Sequence, residues 1–421
     1  MISTTTENIR PVGLLACQLQ PFLKRLETRV VACSESPNDN GLYEIELEDT
    51  IIFPEGGGQP SDTGSISGIE VKISRRQGLR AIHHAAAPIE AGSVVYVEVD
   101  FKRRLDHMQQ HSGQHLLSAV LARECGLRTV SWSLGSDVSH VELDTAKDYV
   151  LQQHLLNEIE SKCNALIFQS LPMTVRVYEQ SAETCPSSIP VDYVGGVVRC
   201  VEIGKAGEKL DQNTCCGTHV TNTSQLQILK LAGTDRVRGG NTRLFFYVGD
   251  RICKYAHGSL QRDKRLAELL SCPPEIQCEA VERAIRQSKL QAKSLKSLRR
   301  LLVPLVAKEL HQRLSTVTSN EQTQSVLYHC EDGDGAFAIG VANELVKLME
   351  GPSIIKWAAV IAAGTKTEGG QLVITGGSSD TIKNTLSRIA PVLGEHKGGF
   401  SRGMWQGKAS SFLNLENFSL D

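Results

Sequence analysis

Residues 100–126 read DFKRRLDHMQQHSGQHLLSAVLARECG, and this stretch decides the fold. It contains no proline and one internal glycine, Gly113, so a helix can run through it. Asp100 is placed to accept from the first free backbone N–H groups as an N-cap, and Gly126 to end the helix in a left-handed C-cap. Everything before it follows a different period. LYEIELEDTIIF alternates from residue 42 and stops at the turn cluster PEGGGQPSDTGS, while SVVYVEVDF is short and β-branched. Short strands between glycine-rich turns predict a small β-barrel or sandwich over residues 1–99.

Beyond Gly126 the spacing predicts a second helix over about 146–168, with Leu151, Leu155, Ile159 and Leu166 on a recurring face. Strand-like pieces then return as MTVRVYE, GGVVRCVEI, LQILKL and TRLFFYVGD. Residues 100–255 thus read as one α+β unit packed on the barrel. A polar helical linker follows over 256–318, broken at Pro273-Pro274. Between Arg283 and Arg300 stand seven Lys or Arg and no acid, and Arg286, Lys289, Lys293, Lys296 and Arg300 share one helical face. Leu295, Leu298, Leu302 and Leu305 form another stripe. Two readings stay open: a solvated face opposite a packing face, or a helix whose Lys289, Lys293 and Lys296 meet RNA phosphates. Over 319–421, WAAVIAAG and LVITGG read as buried strands ahead of the helical SDTIKNTLSRIAPVL, a small α/β domain. The fold class is α+β.

A chain of 421 residues has the length of about three domains. With 41% hydrophobic and 22% charged residues it has a globular composition, and no apolar run reaches the roughly 20 residues of a membrane helix. The opening MISTTTENIRPVGLLACQLQ has one Arg and an interrupted apolar stretch, against a secretory leader. Twelve cysteines in that setting predict reduced thiols or metal ligands and a cytoplasmic location. Acids outnumber bases by 47 to 45, so any nucleic-acid site must be a local patch.

Two patterns carry metal chemistry. His111-x-x-x-His115 puts two imidazoles on one helical face, and Cys215-x-x-x-His219 recurs about a hundred residues later. Together they make a His/His/Cys/His set suited to zinc. His107, His111 and His115 lie at four-residue steps, and His107 and His115 stand about 12 Å apart along a helix. Bonds of about 2 Å cannot gather all three, so one adjacent pair is required and spacing leaves open which. Cys216 raises the same ambiguity beside Cys215.

PEGGGQPSDTG lacks the Gly-Lys-Ser/Thr ending of a phosphate loop. It is either a hairpin turn or a place where Gly56, Gly57 and Gly58 let the backbone approach a ligand, with Gln59 adding amide groups. Glu55 reads more simply as an exposed turn acid. TIIFPEGGGQ at 50–59 with Asp62-Thr-Gly64, HSGQHLL at 111–117 and CCGTHV at 215–220 resemble the editing domain of alanyl-tRNA synthetases. With no aminoacylation domain upstream, the match is closer to the freestanding alanyl-tRNA editing proteins, the AlaX family, in their long form. GGSSDTIKNTLSRIAPVLGEHKGGFSRGMWQGKAS is similar to the C-terminal glycine-rich domain of those synthetases. The one departure is Cys216, where the family has Gly.

The resemblance implies that 100–255 is a zinc-binding editing domain, with one zinc ion on His111, His115, Cys215 and His219. It implies hydrolysis of serine, and of glycine, from the tRNA that accepts alanine, sparing the correct alanyl ester. A synthetase pocket for a small apolar side chain cannot strongly exclude one added hydroxyl, so a second hydrolytic site is needed. Thr50 is expected to meet the serine hydroxyl, and Gln59 to lie near the ester, with zinc positioning the substrate. The glycines at 398, 399, 403 and 407, with Lys397, Arg402 and Lys408, read as a contact for tRNA or for a second subunit of a homodimer, or equally as a mobile loop. A competing reading is a zinc-stapled tRNA- or partner-binding protein without catalysis. Another is a metallohydrolase of some other ester or amide, although no HExxH pattern supports a peptidase.

Overall fold

The computed structural model describes residues 9–147, 149–179, 192–205, 207–237, 239–316, 323–350 and 356–415. The start of the expected barrel domain (1–8) and of the expected C-terminal domain (319–322) lie outside the described residues. By contacts the chain forms two compact units, Met1–Lys264 and Arg265–Asp421. No helix among the described residues is long and apolar enough to cross a membrane.

The first unit begins with helix α1 (Ala16–Leu19) and a closed barrel of six strands. These are β1 (Arg25–Glu35), β2 (Tyr43–Leu47), β3 (Gly64–Ile66), β4 (Ile69–Gln77), β5 (Arg80–Ala85) and β6 (Val94–Val99), in the order β1-β2-β5-β4-β3-β6. Alternation along β6 turns Val95, Val97 and Val99 inward, where they fill the barrel with Val30, Ile45, Leu47, Ile66 and Val71. The alternating run from residue 42 ends earlier than its pattern suggests. Asp49 Oδ1 accepts from the Thr50 and Ala16 N–H groups, and Thr50 Oγ1 accepts from the Ile52 N–H, so residues 48–53 leave the ladder. Ile51, Ile52 and Phe53 are nonetheless buried.

Helix α2 (Phe101–Cys125) has both expected ends: Asp100 accepts from the Arg103 N–H at 3.2 Å, and Gly126 takes φ 65°. It runs through the core of an α+β region containing β7 (Thr129–Ser133), β8 (Ser139–Leu143), α3 (Gln153–Phe168), β9 (Met173–Glu179), β10 (Val197–Lys205), β11 (Glu208–Thr214), β12 (Leu229–Arg236) and β13 (Thr242–Val248). Two sheets form, β12-β13-β8-β7 and β11-β10-β9. Leu116, Leu117 and Val120 of α2 share one core with Ile159, Val201 and Phe246. Helix α3 starts at Gln153 rather than near 146, because a turn from Ala146 to Tyr149 and an extended Gln152 precede it. LQILKL is likewise split: Gln227 at φ 65° follows a 3-10 turn, and the strand begins only at Leu229.

Helix α4 (Asp250–Leu270) contains the boundary between units, and the proline pair separates it from α5 (Gln277–Ser315). The second unit continues with β14 (Gln324–Cys330), α6 (Gly335–Leu348), β15 (Trp357–Thr365), β16 (Gly369–Gly376), α7 (Ser379–Ile389), β17 (His396–Ser401) and β18 (Met404–Ala409). Its sheet runs β14-β15-β16-β18-β17, parallel only between β14 and β15. Strand β15 is apolar from Trp357 to Ala363 because both faces are covered there: Ala359, Ile361 and Ala363 pack on the α5–α6 side, Val360 and Ala362 on the α7 side. The leucine stripe of α5 corrects its sequence reading. Leu295, Leu298, Leu302 and Leu305 are exposed, and the helix packs instead through Val306, Ala307, Leu310 and Leu314.

Candidate metal centre and the cavity beside it

One helical turn separates His111 from His115 on α2, and the turn after β11 brings Cys215 and His219 against them. The candidate ligand atoms of these four residues all lie within 4.8 Å of one another. Cys215 Sγ is 3.2 Å from His111 Nε2 and 3.3 Å from His219 Nε2. Ligands around a tetrahedral zinc ion with bonds of about 2.0–2.3 Å stand at such separations.

What aims the imidazoles is a second layer of partners. His111 Nδ1 donates to Gln59 Oε1 at 2.9 Å, and His115 Nδ1 to Asp211 Oδ2 at 3.2 Å. A carbonyl and a carboxylate only accept, so both rings carry hydrogen on Nδ1 and turn the Nε2 lone pair inward. His219 Nδ1 faces Ser112 Oγ at 3.2 Å. Gln59 is itself fixed, because its Oε1 also accepts from the Thr218 N–H and its Nε2 donates to Thr218 Oγ1. Geometry also settles His107. It lies one turn back along α2 with Nδ1 3.8 Å from Asp62 Oδ1, and Asp62 is buried against Arg104.

The two adjacent cysteines differ sharply. Burial pushes the Cys215 thiol up, but attraction to His111 and His219 outweighs it and holds the thiol well below its ordinary value. Burial and then the neighbouring Cys215 charge push Cys216 up to about 12. Burial lowers His115, yet Asp211 and Cys215 prevail and raise it to about 9; a bound metal ion takes the place of that proton. Neutral imidazoles aimed through Nε2 and a thiolate form a donor set that fits a metal ion and is consistent with zinc.

The ligand turn is held from both sides. Arg199 on β10 donates to the carbonyls of Cys216, Gly217 and Gln18, and Gln18 Nε2 donates to the same Cys216 carbonyl at 2.7 Å. The glycine loop closes over it. Gly56 and Gln59 exchange both backbone hydrogen bonds, with Gly57 at φ 55° and Gly58 at φ 80°, a tight turn needing positive φ at both central positions. A Cβ on Gly57 would stand 2.5 Å from Cys216 Sγ, and one on Gly58 2.7 Å from the Trp132 ring. Cys216 itself needs no unusual φ. The next residue keeps the glycine that is required, since a Cβ on Gly217 would lie 2.4 Å from the His111 ring.

A cavity of about 600 Å³ opens beside the centre, lined by His115, Cys215, Cys216, Gly56, Gly57 and Gln114 among others. Gln59 and Gly58 are not among the lining residues: Gly58 is exposed, and Gln59 is almost wholly buried against His111 rather than facing the cavity. Thr50 also stands off the lining, its hydroxyl bonded to His83 Nε2 at 2.8 Å. Glu55 is exposed at the rim. Lys289, Lys293 and Lys296 lie on α5 in the other unit, exposed and with no ion-pair partner among the described residues. Sequence reading missed Asp211, Arg199, Gln18 and Trp132, which no local pattern marks. Ser112 and Thr218 were visible only as the filling of the two metal motifs.

Residues 198–245 match the family described as the threonyl and alanyl tRNA synthetase second additional domain. The alanyl-tRNA editing protein Aarsd1 of Mus musculus is 35% identical over 409 residues, covering 94% of this chain and 93% of its own. That of Danio rerio is 32% identical over 410 residues, covering 94% of each. The alanine–tRNA ligase of Thermococcus kodakarensis is 29% identical over 311 residues, covering 72% of this chain and 33% of the ligase. Similarity of that extent, along nearly the whole of both chains, places this chain in the family of alanyl-tRNA editing proteins.

Proposed function

We propose that the protein is a zinc-dependent trans-editing hydrolase that removes serine, and glycine, from the tRNA for alanine while sparing its alanyl ester. The observation that carries this reading is the union of an oriented His/His/Cys/His set with an adjoining cavity of about 600 Å³, a size that takes a ligand larger than one amino acid. Hydrolysis adds water across the ester: the carbonyl carbon gains the hydroxyl, and the released ribose oxygen regains a proton. The only carboxylates on the described lining are Glu55 and Asp211, and Asp211 is committed to His115. The side chains therefore act by placement more than by proton transfer. His111, His115, Cys215 and His219 would hold a zinc ion, which when bound would supply a fixed positive charge for orienting and polarising the acylated end of the RNA. Gln59 contributes by holding His111, and the Gly56–Gly58 turn by lying close over the centre. Lys289, Lys293 and Lys296 serve the RNA backbone. The unit boundaries from the sequence, with the C-terminal α/β part as a tRNA or dimer contact, belong to the same proposal.

The test is hydrolysis of seryl- and alanyl-tRNA built on the alanine tRNA, by wild type and by Cys215→Ala at matched folding. Rapid serine-selective release that disappears in the variant supports the reading. Bound metal and bound tRNA without release of either amino acid sinks it in favour of a binding protein.

A further inference from the structure

Choosing serine over alanine requires a group that meets the serine hydroxyl and is stranded by the alanine methyl. Thr50 is badly placed for this. His83 Nδ1 faces the Ile45 carbonyl at 3.2 Å, which only accepts, so His83 Nε2 receives the Thr50 hydroxyl proton at 2.8 Å. The same oxygen already takes the Ile52 N–H at 3.0 Å, and the residue is 1% exposed. Its donor is spent and it lies off the cavity wall.

Gln114 is the reverse case. It lines the cavity, is 5% exposed, and its Oε1 has no partner among the described residues. Its other amide end is held: Nε2 donates to Ser118 Oγ at 2.9 Å, and the Ser118 and Thr129 hydroxyls share a hydrogen bond at 2.8 Å. That chain of bonds holds the carboxamide with its oxygen as the free acceptor. Gln114 sits three residues after His111, within one turn of the metal centre. Buried acceptors are almost always paired, so a partnerless oxygen on a residue of the cavity wall, although itself covered, marks a place for a donor that the ligand brings as it seats.

We propose that Gln114 Oε1 accepts the hydrogen bond of the aminoacyl side-chain hydroxyl and sets the preference for serine over alanine. This rests on the deacylase reading above. Serine satisfies the oxygen; alanine sets a methyl against it and leaves it unpaired in a site from which water is displaced. The experiment is single-turnover hydrolysis of both esters by wild type, Gln114→Met, Gln114→Glu and Thr50→Val, at equal metal content and with melting midpoints recorded. Gln114→Met is expected to lower the serine-over-alanine rate ratio about tenfold or more. Gln114→Glu keeps an acceptor and should retain most of the ratio, and Thr50→Val should leave it unchanged. A wild-type ratio in Gln114→Met, or a ratio lost in Thr50→Val alone, overturns the proposal. Gln114→Leu read the same way replaces the Met variant if that one does not fold. Wild type that carries metal yet hydrolyses neither ester defeats the deacylase reading itself, a different result from a wild-type ratio in the variants.

Discussion

Helix α2 buries fifteen of its 25 residues, eight of them polar or charged, whereas α5 buries five of 39 and exposes every residue from Val281 to Leu298. By hydrophobic pattern alone α5 is the better core helix and α2 the worse. Partners account for the inversion. Gln109 donates to the Gln225 carbonyl, Gln110 exchanges bonds with both backbone groups of Val248, and Ser112 accepts from the Val220 N–H. A polar side chain goes inside when something waits there to pair with it. The leucines of α5 have no such counterpart among the described residues. The exceptions on α2, His107 Nδ1 and Gln114 Oε1, are then the informative atoms.

The largest expected effect tests the buried side. Cys215→Ser should lose its metal, by elemental analysis of the purified protein, while Cys216→Gly keeps it. The opposite pattern would reassign the thiol and undo the contrast between the two cysteines. A middle-sized effect comes from the barrel. Burial, partly offset by the Ile45 carbonyl, lowers His83 to about 4. Above pH 6.5 both folded and unfolded chains hold this imidazole neutral, so its contribution there is level. Between pH 6.5 and about 4 only the unfolded chain takes up the proton, and stability falls with acid by about 3 kcal/mol in total. Against His83→Gln, wild type should therefore lose more denaturation midpoint across that window; equal losses would mean that His83 pairs differently. The smallest effect on stability belongs to α5. Reversing Lys289, Lys293 and Lys296 to Glu should change folding by no more than about 0.5 kcal/mol. It should flatten the salt dependence of tRNA binding by about 0.7–0.9 in log–log slope for each RNA phosphate that is no longer neutralised. An unaltered slope leaves a solvated face and nothing more.

Local rules explain which parts were readable beforehand. Asp100 and Gly126 cap α2 because capping depends on a few neighbouring residues, and the paired HxxxH and CxxxH motifs come together because each is one short element. Spacing could not choose between His107 and His115, since the deciding group is Asp62, far away in sequence. Asp211, Arg199 and Gln18 stayed hidden for the same reason: each acts on an atom supplied by a remote strand or turn. The early end of β2 came from Asp49 competing for backbone N–H groups, and the misread stripe of α5 from a pattern that describes a face without saying what covers it.

The hydrogen bond from Gln18 to the Cys216 carbonyl joins positions 198 apart, and that from Gln59 to Thr218 joins positions 159 apart. In synthesis from the N-terminus, the last barrel strand ends at Val99, and 117 more residues must be made to reach Cys216. At 5–20 residues per second that interval is on the order of ten seconds, far longer than a small barrel takes to fold. A barrel that closes within that interval presents the turn carrying two of the candidate ligands with a surface already formed. The barrel, with no ligand of its own, serves as the mould on which that turn sets.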